Sequence, residues 1–185
     1  MENNIGSSKC SYEQFLKIQE KADNKVEYIN GEIFYMAPTS TRHNDIVFNL
    51  MFNLRHFFKD TKCKVYAEQV AILLDNDNAH STVQPDVFVV CEGTKRGETY
   101  VTVPVIIFEV LSKSTAAIDL YHKLKLYEEN GVKEYNILTQ EGTIIQYVLT
   151  ERKYNTVNVW EMNDSYLSAV FNDLTIPLKE IFSEQ

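Results

Sequence analysis

The apolar run VPVIIFEVL, residues 103–111, is built for burial yet carries a carboxylate, Glu109. A charge taken out of water is costly unless a cation or a proton meets it. The strand-like segment DVFVV, residues 86–90, supplies a second acid, Asp86. If the two segments pair antiparallel about a turn centred between Gly97 and Glu98, Asp86 and Glu109 fall directly opposite one another. Cross-strand side chains of this kind stand roughly 5 Å apart on one face, and two carboxylates at that spacing must share a proton or a cation. Pro85 suits the start of a strand, which places Asp86 at a sheet end within reach of solvent. A third group comes from the next helix, residues 115–130. There Leu120, Leu124 and Tyr127 define a buried stripe at the helical period, and Lys123 falls inside it. Two acids and a lysine at the exposed end of a sheet suit metal-assisted phosphodiester cleavage. Asp86, Glu109 and the backbone oxygen of Val110 would hold Mg²⁺ (or Mn²⁺) and retained water, while Lys123 orients the attacking water and stabilises the developing charge.

Each of these residues also has a plainer reading. Glu109 could pair with a core lysine or arginine, since structural ion-pair networks resemble sites. Asp86 could cap a turn after Pro85. Lys123 has Asp119 four residues earlier, an ordinary helical ion pair. Glu27 and Glu32, on either side of Asn30-Gly31, are expected as exposed hairpin carboxylates. The aromatic residues are expected to fill the core and strand surfaces, with no base-stacking platform among them.

The elements that must position these groups can be read in order. Ser11 is a suitable N-cap for a helix over residues 11–22. Two strands then flank Asn30-Gly31, the dipeptide of a tight type I′ hairpin. Residues 41–59 place Ile46, Leu50, Leu54 and Phe57 on one helical face. Strands at KVYAE and VAILLD are followed by a polar loop over residues 76–82, and then by DVFVV and VPVIIFEVL, both expected to be buried on two faces. The helix at 115–130 ends at Asn130-Gly131. The strand–helix–strand order predicts that the strand near Leu138 lies parallel to the one bearing Glu109. The segments TIIQYVLT, TVNVWEM and LSAVF read as an antiparallel extension, and LKEIF as a short closing helix. The class is α/β: a mixed central sheet flanked by helices, with an N-terminal hairpin and a C-terminal antiparallel extension.

Size and composition agree. The 185 residues, 44% hydrophobic, can build one sizeable core, so residues 11–185 are expected to form one domain behind a mobile stretch at 1–10. No apolar run reaches the length of a bilayer span and the N-terminus has no signal-like core, so no membrane partner and a cytoplasmic setting are expected. The three cysteines, Cys10, Cys63 and Cys91, form no paired motif and are expected as reduced packing residues. A net charge of −8 gives no general attraction to nucleic acid, so DNA would have to be met locally. Lys95 and Arg96 on the loop between the acidic strands, with Lys113 and Lys125 near the helix, are the candidate phosphate contacts.

Three stretches, NGEIFYMAPTSTRHN, QPDVFVV and FEVLSKSTAAIDLYHKLKLYEENGVKEYNIL, together resemble the Uma-type restriction-endonuclease family of the PD-(D/E)XK nuclease superfamily. The resemblance runs from about Tyr12 to Phe182. It implies a restriction-endonuclease-like fold, Asp86 and Glu109 as metal-binding acids, and often a homodimer. The superfamily's lysine usually stands two residues after the glutamate, where this chain has Leu111, and Lys123 resembles a migrated replacement. His43 resembles a family histidine facing the same cleft, which would contact phosphate or a metal-bound water; the plainer reading is a polar first helical turn. The implied function is a Mg²⁺-dependent endonuclease acting on DNA. A catalytically silent nuclease-like fold serving as a binding or oligomeric module is the alternative, and hydrolysis of a small nucleotide phosphoester fits the same chemistry.

Overall fold

Asn30 and Gly31 both take positive φ, 49° and 92°, as a type I′ turn requires. The hairpin they close belongs to a computed structural model that describes residues 8–76, 79–92, 94–96, 99–112 and 116–184. In chain order it contains β1 (Ser8–Lys9), α1 (Tyr12–Gln19), β2 (Val26–Ile29), β3 (Glu32–Tyr35), α2 (Thr41–Phe57), β4 (Lys64–Ala67), β5 (Ile72–Asn76) and β6 (Ala79–Val83). There follow β7 (Val87–Val90), β8 (Thr94–Arg96), β9 (Thr99–Val101), β10 (Ile106–Val110), and a π-helical segment (Ile118–Lys123) continuing into α3 (Leu124–Asn130). The chain then forms β11 (Glu134–Leu138), β12 (Ile144–Thr150), β13 (Lys153–Trp160), β14 (Ser165–Leu167), β15 (Thr175–Pro177) and α4 (Leu178–Ile181).

A six-stranded sheet in the order β13-β12-β11-β10-β7-β4 forms the middle layer. The β10/β11 pair is parallel, as the crossover predicts, and its other pairs are antiparallel. Val87, Val89, Ile106 and Phe108 pack against Ile46, Leu50 and Leu54 of α2 on one face. Phe88 and Ile107 pack on the other face with Ile72, Leu126 and Tyr127, below the second sheet, whose order is β1-β3-β2-β6-β5-β9-β8. The two faces of β7 and β10 are thus both covered, which is why their sequences are apolar at every position except Glu109. Ser11 caps α1 through a reciprocal capping box with Gln14, and Gly131 ends α3 at φ 82°.

Several elements depart from the sequence reading. Most of the polar loop expected at 76–82 is strand, because β6 pairs with β5 and its polar side chains find partners: the Ser81 hydroxyl accepts the Asn30 N–H (3.1 Å), and Thr82 meets the Tyr12 hydroxyl (3.2 Å). The connection from β7 to β10 carries the β8/β9 ribbon, which joins the second sheet through β5. The strand expected at LSAVF instead begins earlier, as β14, paired with β15. Within the stretch expected to be mobile, Ser8 and Lys9 pair with β3. The cysteines also differ: Cys63 and Cys91 form a disulfide, and Cys10 alone is free. The register of β4 on β7 pairs Lys64 with Val90, so the next positions outward, 63 and 91, face each other across the strands. Among the described residues no helix is long and apolar enough to cross a membrane.

Glu134 at the start of β11 is fully buried and holds the C-terminal segment to the sheet. It accepts hydrogen bonds from Asn136, Gln146, the hydroxyls of Tyr166 and Ser168, and the backbone N–H of Ala169. Removing the acceptor strands several buried donors at once. Glu134→Ala is expected to lower stability by about 3 kcal/mol or more, and Glu134→Gln by less, as read from urea denaturation midpoints.

Candidate active site

The ladder between β7 and β10 pairs Val87 with Phe108 and Phe88 with Ile107, so the next position outward sets Asp86 against Glu109, as the sequence register implies. Both lie on the face toward the second sheet. The two acids are laced through the backbone: Glu109 Oε2 accepts the Asp86 N–H (3.2 Å), and Asp86 Oδ2 accepts the Val110 N–H (2.8 Å). Lys123, from the last position of the π-helical segment, donates to Glu109 Oε1 (2.9 Å), and the Tyr127 hydroxyl donates to the same oxygen (3.0 Å). Wider turns of this kind are rare and recur at functional sites.

Lys123 is held by three acids rather than one. Asp119 stands 3.3 Å away, so the ordinary helical pair exists, but it coexists with Glu109 at 2.9 Å and Glu27 at 3.1 Å. Glu27 is not the exposed hairpin carboxylate expected. It is fully buried on β2, which lies between β3 and β6, and its Oε1 also accepts the Gln84 N–H (2.8 Å).

His43 arrives from the first turn of α2, where the Ser40 hydroxyl caps the helix by accepting the His43 N–H (3.1 Å). Its Nε2 meets Asp86 Oδ2 at 3.1 Å. Because a carboxylate only accepts, the proton between them sits on Nε2. The buried Nδ1 then has no hydrogen-bond partner and lies 3.9 Å from Glu68 Oε1. Glu68 was not expected at the site. It follows β4 with φ 38°, a sparsely populated conformation, and its N–H is shared between the carbonyls of Pro85 (3.1 Å) and Asp86 (3.2 Å). His43, Glu68 and Asp86 each offer a ligand atom within 4.8 Å of the others. Lys113 lies outside the described residues, as do the side chains of Lys95 and Arg96, whose backbone forms β8.

The electrostatics are those of a cluster short of positive charge. Four buried acids, Glu27, Asp86, Glu109 and Asp119, face the ammonium of Lys123 and the partly buried Lys25. Burial, followed by the neighbouring Asp86, Asp119 and Glu27, pushes the Glu109 carboxyl up to about 8 against the pull of Lys123. For Asp86 burial acts upward too, but the His43 hydrogen bond and the charges of Lys25 and Lys123 hold it below the usual carboxylate range. Burial would lower Lys123, and Glu109, Glu27 and Asp119 outweigh it, so the amine stays protonated. The unpartnered Nδ1, the excess of acids and the oxygen-rich donor set fit a divalent cation. A cavity of about 40 Å³ reaches Asp86, Glu109, His43 and Lys123 beneath residues 36–39, and an adjoining opening of about 210 Å³ reaches Glu68 and Asp86.

A pH dependence follows from Glu109. Its carboxyl is raised from 4.5 to about 8 in the fold, so its contribution to stability is complete below the unfolded value and is lost as pH rises through about 8. Metal-free protein is therefore expected to lose thermal stability over that window, and Glu109→Gln to lose less. Divalent binding must displace the proton, so affinity is expected to climb up to about tenfold per pH unit below that value and then level off, with proton release measurable by calorimetry in two buffers.

The layered sheet, with its acids at the end of β7 and β10 and its lysine on the crossover helix, is of the restriction-endonuclease-like class. The chain belongs to the Uma2 family, described as "Putative restriction endonuclease", whose model matches residues 12–179. It is 29% identical over 137 residues to "Uncharacterized protein slr1290" of Synechocystis sp., covering 74% of this chain and 71% of that one. It is 30% identical over 131 residues to "Uncharacterized protein sll1609" of the same organism, covering 69% and 73%. Its fold is similar to the crystal structure of "a putative nuclease belonging to DUF820" from Anabaena variabilis, with TM-score 0.75 and 16% identity over 94% of this chain and 97% of the other. Family and fold together support reading the protein as a nuclease.

Proposed function

We propose that the protein is a divalent-metal-dependent endonuclease that hydrolyses phosphodiester bonds in DNA. The observation that carries this reading is the meeting of Asp86 and Glu109 at one sheet end with Lys123 on Glu109 and His43 on Asp86. Asp86 and Glu109, with the Val110 carbonyl or with His43 and Glu68, would hold Mg²⁺ or Mn²⁺. When bound, the ion supplies a water of lowered pKa and neutralises charge on the phosphate. Lys123, fixed as an ammonium by Glu27 and Asp119, orients the attacking water and stabilises charge developing on the phosphoryl oxygens. It does not serve as a proton acceptor, because three acids keep it charged. His43 holds Asp86 in its ionised form and presents its free nitrogen toward Glu68. We extend the proposal to a homodimer, which sedimentation would test.

The nearly complete burial of Glu109, 1% exposed, is also what a catalytically silent fold would show. Incubation with plasmid DNA, RNA and small nucleotide phosphoesters, in Mg²⁺ or Mn²⁺ and with chelator controls, separates the readings. Metal-dependent DNA cleavage supports the proposal. Turnover of small phosphoesters alone moves the substrate to that class. No cleavage, together with no metal binding that Glu109→Gln removes, favours the silent module.

A further inference from the structure

We propose that the outer face of α2, together with the concavity beyond its C-terminal end, binds a single nucleic-acid strand whose scissile bond lies in the cleft. This rests on the nuclease reading and extends it to how the substrate is held. The concavity has a volume of about 330 Å³ and is lined by Arg55, Lys59 and Lys64, with Phe58, Cys63 and Tyr66 among its walls and no acid. Three cations are gathered there on a chain whose net charge is −8. None of the three has an ion-pair partner among the described residues, whereas the neighbouring Lys62 is taken up by Glu92 at 2.6 Å.

The placement matches a strand leading to the site. β4 is an edge strand that starts at Lys64 in the concavity, and Glu68 of the cleft follows its end, four residue steps or about 13 Å away. α2 spans the same ends, with His43 at Asp86 and Arg55 about 18 Å along the helix. That separation is about five nucleotides at roughly 3.4 Å of stacked rise each. Between the ends, Phe48 and Phe52 are 66% and 74% exposed and share one helical stripe with Arg55. Two large rings left exposed in line with the cations at the helix's C-terminal end offer unpaired bases a surface to stack on.

The test is fluorescence anisotropy with a labelled single-stranded DNA of about 20 nucleotides, without divalent metal, between about 50 and 200 mM salt. The combined variant Arg55→Ala, Lys59→Ala, Lys64→Ala is expected to make the slope of log K against log salt shallower by about 2, three contacts at roughly 0.7 each. Phe48→Ala with Phe52→Ala is expected to weaken binding about thirtyfold or more with the slope unchanged, because stacking releases no counterion. A control at Lys17, Lys21 and Lys179, exposed outside α2 and β4, should change neither quantity. An unchanged slope and affinity in the cation variant, an unchanged affinity in the phenylalanine variant, an equal loss in the control, or no binding by the parent protein overturns the proposal. If this binding pattern holds while no metal supports cleavage, the nuclease reading fails and the strand-binding surface stands.

Discussion

Asp86→Asn is expected to reduce metal-dependent cleavage on the order of a hundred- to a thousandfold while leaving the protein folded. The substitution keeps the size of the side chain, and its amide oxygen can still accept the Val110 N–H that Asp86 Oδ2 takes at 2.8 Å. It removes the negative charge between His43 and Glu109, which is the charge a bound cation needs. The loss should therefore appear in both divalent affinity and turnover, with a thermal midpoint close to that of the parent protein. Asp45→Asn, an acid elsewhere on α2, is the matched control and should leave cleavage unchanged. Equal loss in both variants would mean that overall charge, not this site, is responsible.

Lys123→Met is expected to destabilise the protein by about 3–5 kcal/mol, because it leaves Glu27, Glu109 and Asp119 buried without their common cation. The cost should be larger at pH 8 than at pH 5, since protonation relieves the uncompensated acids at low pH. Adding Glu27→Gln to this variant should recover part of the loss, as residues sharing one network do not contribute independently. Neither variant is expected to regain cleavage. Recovery of stability without activity would separate the lysine's place in the ion-pair network from its role on the phosphate. Chemical denaturation across pH, together with cleavage assays below the melting range, reads both.

The parts of this arrangement that were legible in the sequence depend on local periodicity. The apolar runs of β7 and β10 revealed two-sided burial, and one assumed turn centre was enough to set Asp86 against Glu109. The helical wheel put Lys123 in the buried stripe, although it could not show the wider π-helical turn that carries it. Residues whose position depends on long-range pairing were not legible. Glu27 looks like a hairpin carboxylate until β6 is laid against β2 and closes the second sheet over it. Glu68 needs a left-handed backbone at the end of β4, which no residue type there announces. Cys63 and Cys91 become neighbours only through the register of β4 on β7. His43 came from the family resemblance rather than from spacing, and its first-turn position on α2 is what carries it to Asp86.

The most direct measurement is a crystal of the protein soaked in Mn²⁺, with the ion located by its anomalous scattering. The account predicts a peak within coordination distance of both Asp86 and Glu109, and loss of that peak in Glu109→Gln. A protein that takes up Mn²⁺ only elsewhere, or that shows no ion between those two carboxylates, would contradict it.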